Sequence, residues 1–285
     1  MEYERIVYDV PAPHVARVTL NRDAARNAQD KKMLYEIDHA LSEAARDDDI
    51  RCIIVAANGE HFSSGHDLKD SQRLADFPAV TLWGSFDEPG QAGQMSAEGE
   101  MYLGLCWRWR NLPKPTLVQV QGKCIAGGLM LVWPFDIVIA SEDAEFSDPV
   151  VAFGVNGHEY FTHVWEVGHR KAKEMLFCGS TLSAEECRQR GMVNHVVARA
   201  DLSDFTLVMA QRIAKRPLIG LRLAKLSCNQ SLDAQGQWTA IQAAFSLQQI
   251  GHAHAKLVHG LPVDPAGVEI IRTEAKAGTR RREPD

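Results

Sequence analysis

QGKCIAGGL, residues 121–129, is the stretch that decides the fold. It follows an apolar run at 116–121 that is typical of a strand, and it places two adjacent glycines where a short helix is expected to begin. HFSSGHDL, residues 61–68, repeats this arrangement after the buried apolar run 52–56. Each stretch therefore delivers glycine to a turn between a strand and a helix. Backbone N–H groups in such a turn have no acceptor in the helix, and the helix dipole favours negative charge beside them.

Two such turns lying side by side would form an oxyanion hole, in which two N–H groups bind a developing negative charge. Each donor of an oxyanion hole typically contributes about 3–4 kcal/mol of transition-state stabilisation. Either turn taken alone is more often a plain tight connection between a strand and a helix. No Gly-Lys-Ser/Thr closes either turn, so neither is a P-loop, and neither contains the Gly-x-Ser-x-Gly of a serine nucleophile elbow.

The composition is that of an ordinary globular protein. Of 285 residues, 45% are hydrophobic and 24% are charged. A chain of this length can bury a large core without disulfide or metal cross-links. The formal net charge of -6 argues against nucleic acid and anionic membranes as partners, because both need a basic excess. A local basic patch for a phosphorylated ligand is still compatible with this charge.

Cysteine spacing and the N-terminal segment bear on the compartment. The six cysteines form no Cys-x-x-Cys pair and no cluster, which in a chain of this size predicts reduced thiols packed as small apolar groups. The N-terminal segment carries charges where a signal peptide needs an apolar run. No apolar stretch approaches the roughly 20 residues of a membrane span. We therefore expect a cytoplasmic protein.

The hydrophobic pattern alternates strands with helices and then becomes helical. It predicts a layered α/β core followed by a helical C-terminal region. The segment 71–97 is expected to be irregular and to help shape a ligand pocket, and the polar tail 274–285 to be frayed. Strands are predicted at 4–10, 14–20, 52–56, 116–121, 136–140 and 193–197. Helices are predicted at 31–46, 98–111, 170–177, 183–190, 203–215, 218–228 and 236–257, with others beginning near Asp67 and at Gly127-Gly128.

Motifs between residues 21 and 197 occur in the order of a known family. They are Asn21-Arg22 with Asn27-Ala28, a Phe-x-x-Gly-x-Asp-Leu turn at 62–68, a Lys-Pro…Gly-x-x-x-Gly-Gly stretch at 114–128, Asp136, Phe146-Ser147-Asp148-Pro149 with Gly154, and the segment GSTLSAEECRQRGMVNHVV at 179–197. Together they resemble the crotonase, or enoyl-CoA hydratase/isomerase, superfamily. The resemblance covers roughly residues 5–200 and is specific at the superfamily level because several motifs keep their order.

The resemblance implies an α/β fold with a crotonase-like ββα spiral core over residues 1–200. The helical region 201–285 would serve trimerisation and closure of the pocket, in a homotrimer or a hexamer. The substrate would be an acyl-CoA, and we expect no separate cofactor and no metal ion. The thioester carbonyl would lie between the backbone N–H groups of His66 and Gly127. The other turn residues implied in binding the substrate or the CoA adenine are Phe62, Ser63, Ser64, Gly65 and Gly128.

Two positions depart from the pattern of the typical hydratases, which use two glutamates. Met130 and Val150 stand where those glutamates are expected, so they can line the pocket but cannot transfer a proton. Hydration needs one group to orient water and another to protonate the α-carbon. The resemblance therefore supports an enzyme that stabilises a thioester enolate, nominally in enoyl-CoA hydration. The alternatives are enoyl-CoA isomerisation, cleavage of a β-keto acyl-CoA, and a catalytically silent acyl-CoA-binding subunit.

Candidates to replace the missing glutamates lie a few residues further along the chain. Other family members place an acid near the position of His158, which Glu159 follows. On a helix adjacent side chains diverge by about 100°, so we expect only one of them to face the pocket, and we favour Glu159. Asp148 is a turn residue or a second acid. The imidazole of His66 is a further pocket candidate, whereas Asp67 is expected to be a helix N-cap.

Overall fold

The computed structural model describes residues 2–278, with side chains as far as residue 274. Its centre is a six-stranded sheet, in which the first two strands are antiparallel and all the other neighbours are parallel. In chain order, the strands of the protein are β1 (Ile6–Ala12), β2 (Val15–Leu20), β3 (Cys52–Ala57), β4 (Thr116–Val120), β5 (Lys123–Ile125), β6 (Ile137–Ser141), β7 (Glu145–Ser147), β8 (Leu182–Ser183) and β9 (His195–Val197). The large sheet has the order β1-β2-β3-β4-β6-β9.

Ten α-helices cover the described part of the chain around this sheet. The first of them, Lys31–Arg46, begins where Asp30 accepts a hydrogen bond from the Met33 amide at 2.8 Å, which is the N-cap arrangement. The helices are α1 (Lys31–Arg46), α2 (Gln91–Glu98), α3 (Leu105–Arg110), α4 (His163–Val167), α5 (His169–Cys178), α6 (Ala184–Arg190), α7 (Leu202–Ala214), α8 (Leu218–Ala234), α9 (Gln237–His259) and α10 (Gly267–Gly278).

Both faces of the sheet are buried, which explains why its inner strands read as continuous apolar runs. All six residues of β3 are buried. On one face Ile53 and Val55 belong to the main core, which also contains the apolar side of α1. On the other face Ile54 packs in a smaller cluster with residues of α7. The α/β class that the sequence predicts is confirmed.

A second, three-stranded sheet with the order β5-β7-β8 carries one of the glycine turns. Its strand β5 pairs with β7 in parallel and leads directly into the stretch that begins at Ala126. A parallel bridge between Ser63 and Cys124 joins the other glycine turn to β5. The small sheet therefore brings the two turns together, although about 60 residues separate them in the sequence.

The predicted strands are confirmed to within two residues at their ends, and helix 31–46 is confirmed. The helix expected near Asp67 is wrong. Asp67 lies in a turn, where its carboxylate accepts a hydrogen bond from the Lys69 amide at 3.0 Å and pairs with Arg22 at 3.0 Å. A local side-chain bond of this kind competes with helix formation, so Asp67 is not a helix N-cap.

The expectation for 71–97 is wrong at its C-terminal end. Residues 91–110 form one continuous helix, in which a π-helical segment, Gly99–Gly104, joins α2 to α3. Glycines at 93, 99 and 104 hide this helix in the sequence because glycine is unfavourable in helix interiors. The short helix at 127–134 is a 3₁₀ helix at Ala126–Leu131. The tail expected to fray begins within α10, and residues 279–285 lie outside the described residues.

Two further observations concern the whole described chain. All six cysteines are free thiols, as the spacing predicts. Within residues 2–278 no helix has both the length and the apolar character needed to cross a membrane.

Candidate active site

The two glycine turns lie against each other. Strand-like hydrogen bonds join them, from the Ser63 amide to the Lys123 carbonyl at 3.2 Å and from the Ile125 amide to the Ser63 carbonyl at 3.0 Å. Gly65 has φ +93°, and a Cβ atom there would lie 2.9 Å from the Ile125 carbonyl oxygen and 3.3 Å from the Gly127 nitrogen. Glycine is therefore required at 65 both for its backbone conformation and for the contact between the turns.

One backbone amide of each turn takes no part in the hydrogen bonds that hold the two turns in place. The bridge between Gln29 and His66 uses the Gln29 amide, which donates to Gly65 at 2.8 Å, and the Asp67 amide, which donates to Gln29 at 2.9 Å. The His66 amide is thus outside this bridge. Gly127 is the second residue of its 3₁₀ helix, a position whose N–H has no acceptor within the helix. Both amides are available to the oxygen of a bound carbonyl.

Gln29 holds the two turns together, and no motif in the sequence indicated this role. Its buried side-chain amide donates to the Gly127 carbonyl at 2.7 Å. The Ser63 hydroxyl donates to the Asn27 carbonyl at 2.8 Å and accepts from the Gly65 amide at 3.2 Å. These bonds orient the peptide units on either side of the free amides.

The residues expected to bind substrate or CoA differ in accessibility. Phe62 and Ser63 are both fully buried, so their side chains belong to the core and to the turn. Ser64 is exposed. Gly128 is buried, and a Cβ atom there would lie 2.8 Å from the Ser63 carbonyl oxygen. Gly128 therefore permits the close approach of the turns.

The imidazole of His66 faces Glu159. His66 Nε2 lies 3.0 Å from Glu159 Oε2, and the His66 ring stacks on the ring of Tyr102 with the centroids 3.9 Å apart. Burial acts to raise the pKa of Glu159, but the charge and hydrogen bond of His66 outweigh it, and the net shift is downward. Burial acts to lower the pKa of His66, but the charge and hydrogen bond of Glu159 outweigh this effect, and the net shift is upward. The two shifts therefore favour the ionised form of each partner, a carboxylate on Glu159 and an imidazolium on His66, in a pair that is buried on the Glu159 side and 20% exposed at the His66 side chain.

His158 and Glu159 are not helical, which corrects the expectation that helix geometry separates them. They lie in an irregular segment between the 3₁₀ helix Val150–Phe153 and α4. Both side chains are buried, but they face different partners. Glu159 contacts His66 of the glycine turn at 61–68. The His158 ring instead lies 4.9 Å from the ring of Trp133, measured between centroids.

Asp148 and His163 form a second buried pair beside His158. His163 Nε2 lies 2.8 Å from Asp148 Oδ2, both side chains are fully buried, and the His158 amide donates to the same oxygen at 3.0 Å. Burial acts to raise the pKa of Asp148, but the bond to His163 and the neighbouring histidines make the net shift downward. Burial and the charge of His163 lower the pKa of His158 to about 3, so His158 is neutral at physiological pH.

These three residues are also the one group within the described chain whose side chains could together hold a metal ion. Their ligand atoms spread over as much as 4.8 Å, whereas ligands bound to zinc at about 2.0–2.1 Å stand roughly 3.3 Å apart. Asp148 and His163 are already bonded to each other. The arrangement fits a hydrogen-bonded support for the 158–159 segment better than it fits a metal centre.

Met130 and Val150 carry no chemistry in the structure. Met130 is 1% exposed and belongs to the main core, and its carbonyl accepts a hydrogen bond from the Cys106 thiol at 3.5 Å. Val150 is half-buried in the first turn of its 3₁₀ helix. Neither position supplies a group that can accept or donate a proton.

Glu98 and Tyr102 reach the site from the helix that the sequence left partly unpredicted. They are four residues apart, and Tyr102 covers the His66 ring. Glu98 is 8% exposed and accepts side-chain hydrogen bonds from Gln94 and Gln249, each at 2.7 Å. Burial first, and the charge of Glu159 second, raise the pKa of Glu98. Both residues fall within the predicted helix 98–111, but their spacing alone did not mark them as site residues.

A cavity of about 500 Å³ lies apart from the glycine turns. It is bounded by Tyr160 and Trp133 on one side and by residues of α8 and the start of α9 on the other. His66, Gly127 and Glu159 do not line it. Its position places it between the core and the C-terminal helices, away from the free amides.

Comparison with known proteins places this geometry in a family. The model of the family described as enoyl-CoA hydratase/isomerase matches residues 12–262. The chain belongs to the enoyl-CoA hydratase/isomerase family. The crotonase resemblance that the motifs indicated is thereby confirmed, and the protein is an enzyme of the hydratase/isomerase type.

Three members of the enoyl-CoA hydratase/isomerase family illustrate the similarity. EchA13 of Mycobacterium tuberculosis, whose name places it among the enoyl-CoA hydratases, is 38% identical over 99% of this chain and 91% of its own length. The 1,2-epoxyphenylacetyl-CoA isomerase of Escherichia coli is 31% identical over 76% of this chain and 79% of its own length. A solved Mycobacterium smegmatis structure described as an enoyl-CoA hydratase is 46% identical, with a TM-score of 0.83 over 91% of this chain and 98% of its own.

Proposed function

We propose that the protein binds an acyl-CoA with its thioester carbonyl between the backbone N–H groups of His66 and Gly127, and that it stabilises the enolate formed there. The observation that supports this most strongly is the pairing of two glycine turns, each of which has one backbone amide outside the hydrogen bonds that join them. Two such donors, placed where charge develops, are the largest single contribution expected in acyl-transfer and enolate chemistry.

Glu159 is the proton-transfer group of this proposal. Glu159 is ionised because His66 lowers its pKa. The imidazole that pairs with Glu159 is the side chain of His66, whose backbone amide is one of the two proposed donors to the thioester oxygen. A carboxylate in that state can orient water and take a proton from it. His158 is a poorer candidate, because a pKa of about 3 makes its imidazole a weak base and its ring faces Trp133 and His163. The function is therefore enoyl-CoA hydration, carried out without the usual glutamate pair.

Enoyl-CoA isomerisation is the second candidate. Two observations favour it, namely the absence of glutamate at positions 130 and 150 and the 31% identity to the 1,2-epoxyphenylacetyl-CoA isomerase. Cleavage of a β-keto acyl-CoA would use the same enolate. The buried Glu159 carboxylate argues against a silent binding subunit, because a buried charge is costly unless it is paired, and packing alone poorly explains a carboxylate held by His66 at this position.

The wider context of the proposal follows from the substrate. A CoA thioester brings its own activated carbonyl, so the reaction needs no separate cofactor. The proposed role of the protein is in cytoplasmic fatty acid metabolism. The exposed Ser64 and the backbone of Phe62–Ser64 are the proposed contacts for adenine.

Assembly as a homotrimer or hexamer through the region 201–285 is supported by exposed apolar side chains on α8 and α9, among them Ile219, Leu223, Leu247, Ile250 and Leu257.

Titration calorimetry tests the ligand class. We expect saturable binding of an acyl-CoA, at one site per chain, because both amides are supplied by the same chain. The free acid of the same acyl group is the matched control and should bind far more weakly, since it lacks the CoA moiety. If neither CoA nor any member of a panel of acyl-CoAs binds, the proposed function is wrong.

A further inference from the structure

Glu98 is a buried carboxyl group that the proposed function leaves without a role. It lies at the end of α2, directly before the π-helical segment Gly99–Gly104. Single π turns inside helices are costly and often occur at functional sites. Tyr102, four residues further on, stacks on the His66 ring, so this stretch of helix faces the Glu159–His66 pair.

The environment of Glu98 holds the carboxyl group in place mainly through neutral amide donors. Its two oxygens accept hydrogen bonds from the side-chain amides of Gln94 and Gln249 at 2.7 Å, and the His252 ring lies further away, with Nε2 3.6 Å from Oε2. No lysine or arginine pairs with Glu98 among the described residues. A carboxyl group that is 8% exposed, with a histidine at 3.6 Å as its cationic neighbour, is costly to bury in the ionised form, so a purely structural role would be better served by an amide or an apolar side chain.

Glu98 and Glu159 are shifted in opposite directions by their surroundings. Burial and the negative charge of Glu159 raise the pKa of Glu98, whereas His66 makes the net shift of Glu159 downward. Both carboxyl groups also raise the pKa of His66, and Tyr102, four residues after Glu98, stacks on the same imidazole with the ring centroids 3.9 Å apart. Two nearby carboxyl groups with diverging pKa values are the usual sign of a general acid and a general base in one site.

We infer that Glu98 is the second proton-transfer residue of this site, and that Glu98 and Glu159 together do the work of the glutamates that Met130 and Val150 replace. This inference rests on the proposed function. It assigns the acid to the helix 91–110 and the base to the irregular segment that follows Gly154. Gln249 of α9 is then a positioning residue, because it holds the acid through a single hydrogen bond.

In the hydration direction, every proton that is taken up or released can be assigned to a named group. The Glu159 carboxylate takes a proton from water while the water oxygen forms a bond to the β-carbon of the enoyl group. The electron pair of the double bond moves to the α-carbon and the thioester oxygen, which the amides of His66 and Gly127 hold. The Glu98 carboxyl group then gives its proton to the α-carbon. Glu98 is left ionised and Glu159 protonated, and exchange with solvent restores both.

The substitution Glu98→Gln tests this assignment, with Glu100→Gln as the matched control. Glutamine resembles a protonated glutamate in shape, so the fold should persist. Glu100 is in the same helix and 2% exposed, but it faces Tyr35 and Arg108. We expect Glu98→Gln to lower kcat about 10²–10⁴-fold on an acyl-CoA that the wild type turns over, and Glu100→Gln to change it only a few-fold.

The pH profile of kcat/KM separates a catalytic role from a structural one. The wild type should lose activity as the pH rises through the raised pKa of Glu98, and Glu98→Gln should lack this alkaline limb. Glu98→Asp keeps an acid and should retain the limb at a reduced rate. The inference is overturned if Glu98→Gln keeps both the wild-type rate and the alkaline limb, or if Glu98→Asp is no more active than Glu98→Gln. Failure of the wild type to bind any acyl-CoA would instead overturn the proposed function itself.

Discussion

His66 contributes to the site through both its backbone and its side chain. Its amide is one of the two donors proposed for the thioester oxygen, and its imidazole pairs with Glu159 at 3.0 Å. The two contributions are separable, because a substitution changes the side chain and leaves the amide in place. The His66 ring also packs on Tyr102, so a replacement must keep an aromatic ring if it is to test the ion pair alone.

His66→Phe removes the ion pair and retains the stacked ring. The pKa of Glu159 should rise, because burial is then unopposed by the charge of His66. Since Glu159 acts as a carboxylate, the acidic limb of the kcat/KM profile should move to higher pH, and activity near neutrality should fall. Tyr102→Phe is the control that keeps both the stack and the ion pair, and its acidic limb should match that of the wild type. An unshifted limb in His66→Phe would show that His66 does not keep Glu159 ionised.

At this scale, the sequence could name only residues that lie in recognisable motifs. His66 and Gly127 could be chosen because they belong to the glycine turns, and Glu159 because it lies at a fixed offset from Val150. Glu98 could not be chosen, because its pKa and its neighbours depend on residues of α9 that are about 150 positions away. Whether a buried carboxyl group is a base or an acid is likewise decided by tertiary contacts.

At the scale of elements, the site is built by two strand–turn units that pack together. A Cβ atom at Gly127 would lie 2.5 Å from Cε1 of His66, and this ring cannot move aside because it is held by Glu159 and Tyr102. Glycine at 127 therefore permits the approach of the turns as well as the exposure of its own amide.

Gly127→Ala should displace one or both oxyanion amides. We expect kcat to fall by at least about 10²-fold, with the circular dichroism spectrum unchanged, because the loss of one donor has effects of this size. Gly220→Ala is the matched control, since Gly220 lies in α8 with no atom near its virtual Cβ. The control should keep full activity and gain stability of about 0.5–1 kcal/mol, as expected for alanine within a helix. Near-normal turnover by Gly127→Ala would show that the contact between the turns is not needed for catalysis.

Elements with a clean hydrophobic period were predictable, and elements interrupted by glycine or by local side-chain bonds were not. The strands of the large sheet and α1 follow the apolar pattern because their burial is uniform along each face. The helix 91–110 was only half recognised, since tertiary packing of Glu98, Tyr102 and their neighbours stabilises it in spite of three glycines. The same helix contains Glu98, the acid proposed above.

At the scale of the whole molecule, the site is assembled from segments that are far apart in the sequence. The turn after β3, the turn after β5, the segment around Glu159, the helix 91–110 and α9 each contribute one part. The order of motifs revealed the family and the two turns. It could not reveal that α9 reaches the same site, because the helical spacing of α9 alone does not say which element it packs against.

The substitution Glu159→Gln, measured on the substrate that a panel of acyl-CoAs identifies by mass spectrometry, is the sharpest test of the claim that an ionised Glu159 replaces the missing glutamates. Glutamine keeps the shape of glutamate and loses the base. We predict a fall in kcat of about 10²–10⁴-fold with acyl-CoA binding retained, and a poor rate for crotonyl-CoA even in the wild type. Rapid hydration of crotonyl-CoA that survives both Glu159→Gln and His158→Ala would contradict this claim, and another group would then have to carry the proton.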